Sequence, residues 1–337
     1  MSELPFACGA VPLTARLRAA PEDFIVEEIL GYDADGAGEH ALLWVEKRGA
    51  NTDWVARELA RFAEVPPVNV GYAGLKDRHA VTRQAFSVQL PGRPDPDWSA
   101  LPCAEVKVLA ATRHSRKLKR GALRGNRFVL TLREVHGERE AAERVLQQIA
   151  ARGVPNYFGE QRFGREGGNL AQARAMFAGR RMDRDKRSIL LSAARSQIFN
   201  SVLAARVEQG TWDTALPGEI WSLAGSRSWF GPEPFDDALA GRLAQGDIHP
   251  SGPLWGEGDP PATDVVGALE RQVAAEHVDL AEGLAKARME HERRALRLMP
   301  KDLRWRWLDD ATLELTFELP AGAYATVVVR ELANLGA

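Results

Sequence analysis

Hydrophobic and polar positions alternate most clearly towards the two ends of the chain. Asp23-Phe24-Ile25-Val26-Glu27-Glu28-Ile29 and His40-Ala41-Leu42-Leu43-Trp44-Val45-Glu46 have strand character, and the turn-rich DADGAGE between them predicts a hairpin. Residues 52–62 place Val55, Leu59 and Phe62 at helical spacing, an amphipathic helix that Asn51 or Thr52 can cap. Short strands follow at Val68 to Ala73 and at Gln84 to Leu90, so residues 74–83 form a strand–loop–strand connection. Asn126 to Arg133 alternates Phe128, Leu130 and Leu132 against Val129 and Thr131, a half-buried strand. Residues 140–151 carry Ala142, Val145, Leu146 and Ile149 on one helical stripe, ended by Gly153 and Pro155.

From about 153 to 301 the texture changes. The pattern is helical, with Ser192 to Gln209 as its clearest helix, broken by loops such as Pro250-Ser251-Gly252-Pro253 and Gly256 to Pro261. Strand alternation then returns at Thr312 to Leu319, and Ala323 to Arg330 reads as a further apolar strand. A β-rich segment, a helical block and β again predict one sheet domain carrying an inserted domain. Such insertions are tolerated where the ends of an exposed loop lie close together.

Composition narrows the class. The chain has 337 residues, 45% hydrophobic and 27% charged, as expected of a soluble globular protein that needs no disulfide or metal to hold its core. Cys8 and Cys103 lie far apart without metal-ligand spacing and read as reduced thiols. The N-terminus lacks a signal-peptide profile, and no run approaches the roughly 20 apolar residues that span a bilayer. A cytoplasmic protein without a membrane partner is expected. No heptad run suggests a coiled coil, so a monomer with no obligatory protein partner is the default.

The net charge of −2 argues weakly against a nucleic-acid partner, but its distribution argues for one. No acidic residue occurs between Glu105 and Glu134, a window that holds Lys107, Arg113, Arg116, Lys117, Lys119, Arg120, Arg124, Arg127 and Arg133. That stripe is either an RNA-binding surface or a solvated basic face.

Motifs for familiar cofactor chemistry are missing. His291-Glu292 opens a HExxH-like string, but position 295 is Ala. There is no CxxC, P-loop, GxGxxG or Gly-x-Ser-x-Gly. Hydride transfer, ATP use and serine hydrolysis lack support, and neither cofactor nor metal is expected.

Asp77 remains, flanked by Lys76 and Arg78 and followed by His79. Cations beside a carboxylate favour its ionised form, able to act as nucleophile or base. The plain alternative is a loop aspartate that caps a turn or pairs with a cation. Arg18, just before a strand, is a surface arginine, an ion-pair partner of the carboxylate or a phosphate contact. Asn126 can read the amide edge of a base, Phe128 is core or platform, and Tyr324 sits among small residues that would leave its ring open to a flat ligand.

The segment GYAGLKDRHAVTRQ at 71–84 resembles the signature of the TruD family of tRNA pseudouridine synthases. Further blocks agree in order: PEDFIVEE at 21–28, GEH at 38–40, HSRKLKRGALRGNRF at 114–128, GVPNYFGEQRFG at 153–164, LSAARSQIFN at 191–200 and LPAGAYATVVVREL at 319–332. The resemblance implies an α/β (α+β) fold, with a pseudouridine-synthase catalytic domain of mainly antiparallel sheet at 1–152 and 302–337. An inserted α/β TRUD domain is implied at 153–301. It implies cofactor-free isomerisation of uridine to pseudouridine in tRNA, at uridine 13 of tRNA for glutamate. Asp77 takes the catalytic position, and Phe24, Asn126 and Tyr324 fall where the family contacts the target nucleotide, with Phe128 beside them. Arg18 stands where a lysine is typical, and Tyr324 where some members have Phe. Arg116, Lys117, Lys119, Arg120 and Arg124 are expected to hold the RNA backbone. Two rivals use the same residues: a non-catalytic tRNA-binding or RNA-folding protein, and a glycosidic hydrolase pairing Asp77 with Glu27.

Overall fold

A computed structural model describes residues 4–335, apart from the Arg165 side chain. It is a mixed α/β structure whose chain forms two compact units. One holds residues 12–139, 300–323 and 333–335, the other residues 4–11, 140–299 and 324–332.

The first unit is built on a ten-stranded, mostly antiparallel sheet. Its early strands are β1 (Leu13–Leu17), β2 (Phe24–Ile29), β3 (His40–Arg48), β4 (Val70–Tyr72), β5 (Val81–Gln89), β6 (Val106–His114) and β7 (Gly125–Gly137). The long β7 pairs with β2 on one side and with Thr312–Pro320 on the other, and Lys301–Asp309 forms the edge beyond. Alternation sets the register. Phe24, Val26 and Glu28 stand opposite Leu130, Phe128 and Asn126, so these side chains share one face. Lys47, Val45 and Leu43 stand opposite Thr82, Gln84 and Phe86, and Thr82 stands opposite Val26, which extends the same face across β5 and β3. Helix α1 (Thr52–Phe62) closes part of it, burying Val55 and Leu59 against Leu43, Val45 and Phe86.

The expected hairpin of β2 and β3 does not form. Strand β5 lies between them, parallel to β2 and antiparallel to β3. The DADGAGE segment instead bonds to the end of β6, with Gly36 N–H donating to the Arg113 carbonyl and Ser115 N–H to Asp35. Local turn chemistry lost to the burial of β5, which fills most of its length on both faces. Nor does a side chain cap α1: Asn51 makes no capping bond, and Thr52 is committed elsewhere.

In the second unit, α2 (Arg139–Arg152) buries the predicted stripe of Ala142, Val145, Leu146 and Ile149. Helix α3 (Gly168–Phe177) packs on α4 (Arg184–Glu208), which is longer than its pattern suggested and buries Ile198, Phe199, Val202 and Leu203. The region is not only helical. Trp229–Phe230, Trp221–Leu223, Ile248–Leu254 and Glu292–Ala295 make a four-stranded sheet. The Pro250 to Pro253 segment, expected as a loop, is a buried interior strand of it. Gly252 makes this possible: a Cβ there would sit 2.8 Å from Leu296 and 3.0 Å from the Phe199 ring, so strand and helix can touch. The strand expected at Ala323 to Arg330 is instead a turn leading into the short helix Thr326–Val329. Its three valines are buried, and tertiary packing overrides their β preference.

Candidate active site

Asp77 lies on the loop between β4 and β5, with its side chain 34% exposed. Four contacts fix that loop against the sheet face just described. Lys47, fully buried, donates to the Asp77 carbonyl at 2.9 Å and to the Ala50 carbonyl at 2.8 Å. Gln84 Nε2 donates to the Gly74 carbonyl and accepts through Oε1 from the Thr52 hydroxyl. That hydroxyl accepts in turn from Lys76 N–H. The Lys76 ammonium pairs with Glu28 at 2.6 Å, both nearly sealed from solvent.

The carboxylate of Asp77 is oriented by two donors. Oδ1 accepts the His79 N–H at 2.9 Å, a local turn bond, and Oδ2 meets Arg18 Nη2 at 2.7 Å. The flanking cations, which the sequence made the obvious partners, point away. Lys76 goes to Glu28 and Arg78 to the Gly49 carbonyl. Successive side chains of an extended loop leave on opposite sides, so the neighbour in space comes from β1's end instead. Arg18 sits at φ 64°, a left-handed conformation costly for a non-glycine residue and held only by surrounding contacts. Its guanidinium lies 4.1 Å from the Phe24 ring centroid.

Phe24 packs edge-on against Phe128, and Phe128 stacks on Phe317. Both Phe24 and Phe128 are buried. Asn126 is half-buried next to them on the same face, and its Oδ1 is buried without a hydrogen-bond partner. An orphan acceptor of that kind costs about 1–3 kcal/mol until a donor arrives. Glu27 follows the opposite alternation. It faces away from Phe24 and is neutralised by Arg83, which also holds Glu46. The hydrolase reading therefore loses its second carboxylate.

The basic segment between β6 and β7 is bonded to the chain that runs into the Asp77 loop. Gly121 N–H donates to the Ala73 carbonyl at 2.7 Å, Leu118 N–H to Ser87 Oγ at 2.8 Å, and Lys117 Nζ to the Val68 carbonyl. Gly71 permits this approach, since a Cβ there would lie 2.3 Å from the Leu118 carbonyl oxygen. Arg116, Lys117, Lys119, Arg120 and Arg124 are all exposed, with Arg120 stacked over Tyr72 and Arg124 3.8 Å from Glu318. Tyr324 belongs to the other compact unit, where its hydroxyl accepts from Arg162 Nη2 at 3.3 Å. Among the described residues, no group of three or more His, Cys, Asp or Glu is placed to hold a metal, and no helix is long and apolar enough to cross a membrane.

A family model described as tRNA pseudouridine synthase D (TruD) matches residues 5–171 and 168–332. The chain belongs to this family. It is 55% identical over 351 residues to tRNA pseudouridine synthase D of Xanthomonas oryzae, covering 99% of this chain and 95% of that one. The same enzyme of Methylococcus capsulatus is 52% identical over 332 residues, covering 98% and 94%. A crystal structure described as the putative tRNA pseudouridine synthase D of Methanosarcina mazei superposes with TM-score 0.73 at 23% identity, over 97% and 95% of the two chains, and agrees in fold. Family membership makes the protein an isomerase that converts uridine to pseudouridine in tRNA.

Sequence reasoning missed Lys47, Glu28 and Gln84. Each carried a signal. Lys47 continues the buried phase of Ala41, Leu43 and Val45, Glu28 that of Phe24 and Val26, and Gln84 that of Phe86 and Val88. A charge on the apolar phase of a strand must be paired inside.

Proposed function

We propose that the Asp77 loop is the catalytic centre, and that the target is uridine 13 of tRNA for glutamate. The observation that carries this reading is the Asp77 carboxylate, about one-third exposed, aimed by Arg18 and the His79 N–H, above a sheet face holding Phe24 and Asn126. The reaction breaks N1–C1′, forms C5–C1′ and moves one proton from C5 to N1, so substrate and product are isomers. A stacked base cannot turn about its own ring, so the nucleotide is flipped out first. The exposed cations of the 115–124 segment hold the phosphates during that step.

Within this reading each side chain has a task. Asp77 is the nucleophile or base at the flipped nucleoside. Arg18 pairs with the carboxylate and covers Phe24, so its guanidinium marks a surface where a flat ring can stack. Asn126 Oδ1, left without a donor, suits the N3–H of uracil. Phe128 backs Phe24. Tyr324 keeps the role that its match to the family's motif implies. The catalytic domain comprises residues 1–152 and 302–337, and the inserted TRUD domain residues 153–301. The protein works as a cytoplasmic monomer without cofactor. Incubation with a panel of unmodified tRNAs, followed by carbodiimide mapping, tests the assignment. Marking of uridine 13 in the glutamate tRNA supports it; marking only elsewhere defeats the target, and marking nowhere defeats the activity.

A further inference from the structure

Three sequence blocks converge in the second unit. Asn200, from the 191–200 block, clamps the backbone of Phe158, from the 153–164 block, accepting from its N–H and donating to its carbonyl, each at 2.9 Å. This fixes the chain that carries Arg162. The Arg162 guanidinium donates to Ser192 Oγ at 3.0 Å and to the Tyr324 hydroxyl, the latter from the 319–332 block. Arg294 approaches from the strand Glu292–Ala295 and is held by the Asn156 side chain at 2.6 Å. The two guanidiniums share one aromatic ring, Arg294 at 4.2 Å and Arg162 at 5.2 Å from the Phe158 centroid.

The charges do not cancel. Among the described residues no carboxylate pairs with Arg162 or Arg294. By contrast, buried Arg206 pairs with Glu219 and buried Arg293 with Glu270, while Arg297, also without a carboxylate, is held by His249 Nδ1 and the Leu243 carbonyl. Arg162 Nε is also buried without a partner. Burial lowers the Arg294 guanidinium to about 10, with Tyr324 opposing the shift and Arg162 adding to it. Two half-buried cations with neutral neighbours are costly unless an anion completes them. An open cleft of about 540 Å³ gives an anion access to Arg294, with Phe158, Ser192 and the Arg195-paired Glu292 in its lining and Arg187 and Arg184 on the first turns of α4 continuing it outward; Arg162 borders it through its bond to Ser192 Oγ. Arg195, in the same wall, has its charge paired by Glu292 and donates from Nη2 to two carbonyls, with only its Nε left without a partner.

We propose that Arg162 and Arg294, with the Ser192 hydroxyl, form a phosphodiester clamp for the RNA substrate, continued along α4 by Arg187. A planar fork matches a phosphate's two free oxygens, and the hydroxyl adds one donor. The clamp rests on the reading of this protein as an enzyme acting on tRNA, and it assigns the second unit a direct share of the RNA backbone.

The test is the salt dependence of binding to an unmodified tRNA transcript, with pseudouridine formation measured alongside. Each lost phosphate contact reduces the slope of log K against log salt by about 0.7–0.9. Arg162→Gln and Arg187→Gln are each expected to lower the slope by that amount and to weaken binding about tenfold near 0.15 M salt. Arg162→Lys is expected to keep the slope. Arg187 is exposed, so its variant remains decisive if the buried substitution fails to fold. Wild-type slope and affinity in Arg187→Gln and in any folded Arg162→Gln overturn the clamp, as does a fall in melting temperature with no change in slope. If the wild type binds with the expected slopes but modifies no uridine, the clamp stands and the enzymatic reading alone fails.

Discussion

Lys47 gives a prediction that links stability to the site. Its ammonium is fully buried and bonded to the Asp77 and Ala50 carbonyls. Burial lowers it from 10.5 to about 8, with Asp77 opposing the shift and Lys76 adding to it. Between about pH 8 and 10.5 the unfolded chain therefore keeps this proton while the folded chain releases it. Stability contributed by the group rises with pH through that window. Each pH unit separating the two states is worth about 1.4 kcal/mol, which integrates to about 2 kcal/mol between pH 8 and 10. Lys47→Met removes the titration. Urea unfolding of wild type and variant across that range, taken as a difference, cancels the tyrosines and the other lysines. The wild type is expected to gain about 2 kcal/mol on the variant. Parallel curves for the two proteins refute the reasoning. The variant also frees the Asp77 carbonyl, and a displacement of about 1 Å at a reacting group costs about a hundredfold in rate. Its kcat is expected to fall by one to two powers of ten near pH 7.5, and wild-type turnover would contradict the anchoring role.

Other contacts give sharper single outcomes. Arg18→Ala should lower kcat about tenfold while changing stability by less than about 1 kcal/mol, because the ion pair with Asp77 is more than one-third exposed. Arg18→Lys should restore most of the turnover, and equal losses in both variants would show that charge is not what matters. Lys76→Met strands the sealed Glu28 carboxylate and should cost about 3–5 kcal/mol in urea unfolding; adding Glu28→Met should recover most of it. Gly71→Ala drives a Cβ against the Leu118 carbonyl and should cost about 1–3 kcal/mol while weakening tRNA binding through the displaced basic segment. Unchanged affinity in a folded Gly71→Ala protein would separate the two loops.

The elements readable from sequence were those with local periodicity. The stripes of α1 and α2 and the alternation of β7 settle type and position because one face of each is buried. Elements decided by distant packing were misread. The valines of Thr326–Val329 favour a strand in isolation but are buried as a helical turn, and Gly252 lets a proline-containing segment serve as an interior strand. The site shows the same division. Asp77 stood out by its loop and neighbours, yet the flanking cations Lys76 and Arg78 were not its partners. Arg18 and Lys47 reach it only through the register of a sheet whose central strand order the sequence did not reveal. Arg162 and Arg294 were invisible as a pair because two features distant in sequence, the Phe158 backbone clamp and the Glu292–Ala295 strand, bring them to one ring.

The central claim is that one carboxylate, at Asp77, performs the isomerisation. Asp77→Asn keeps the side chain's shape and its bond from the His79 N–H while removing the charge. Its pseudouridine yield on unmodified glutamate tRNA, with the dissociation constant measured on the same sample, is the direct test. No pseudouridine above background and an affinity close to wild type are expected; pseudouridine formed at the wild-type rate would rule out Asp77 as the catalytic group.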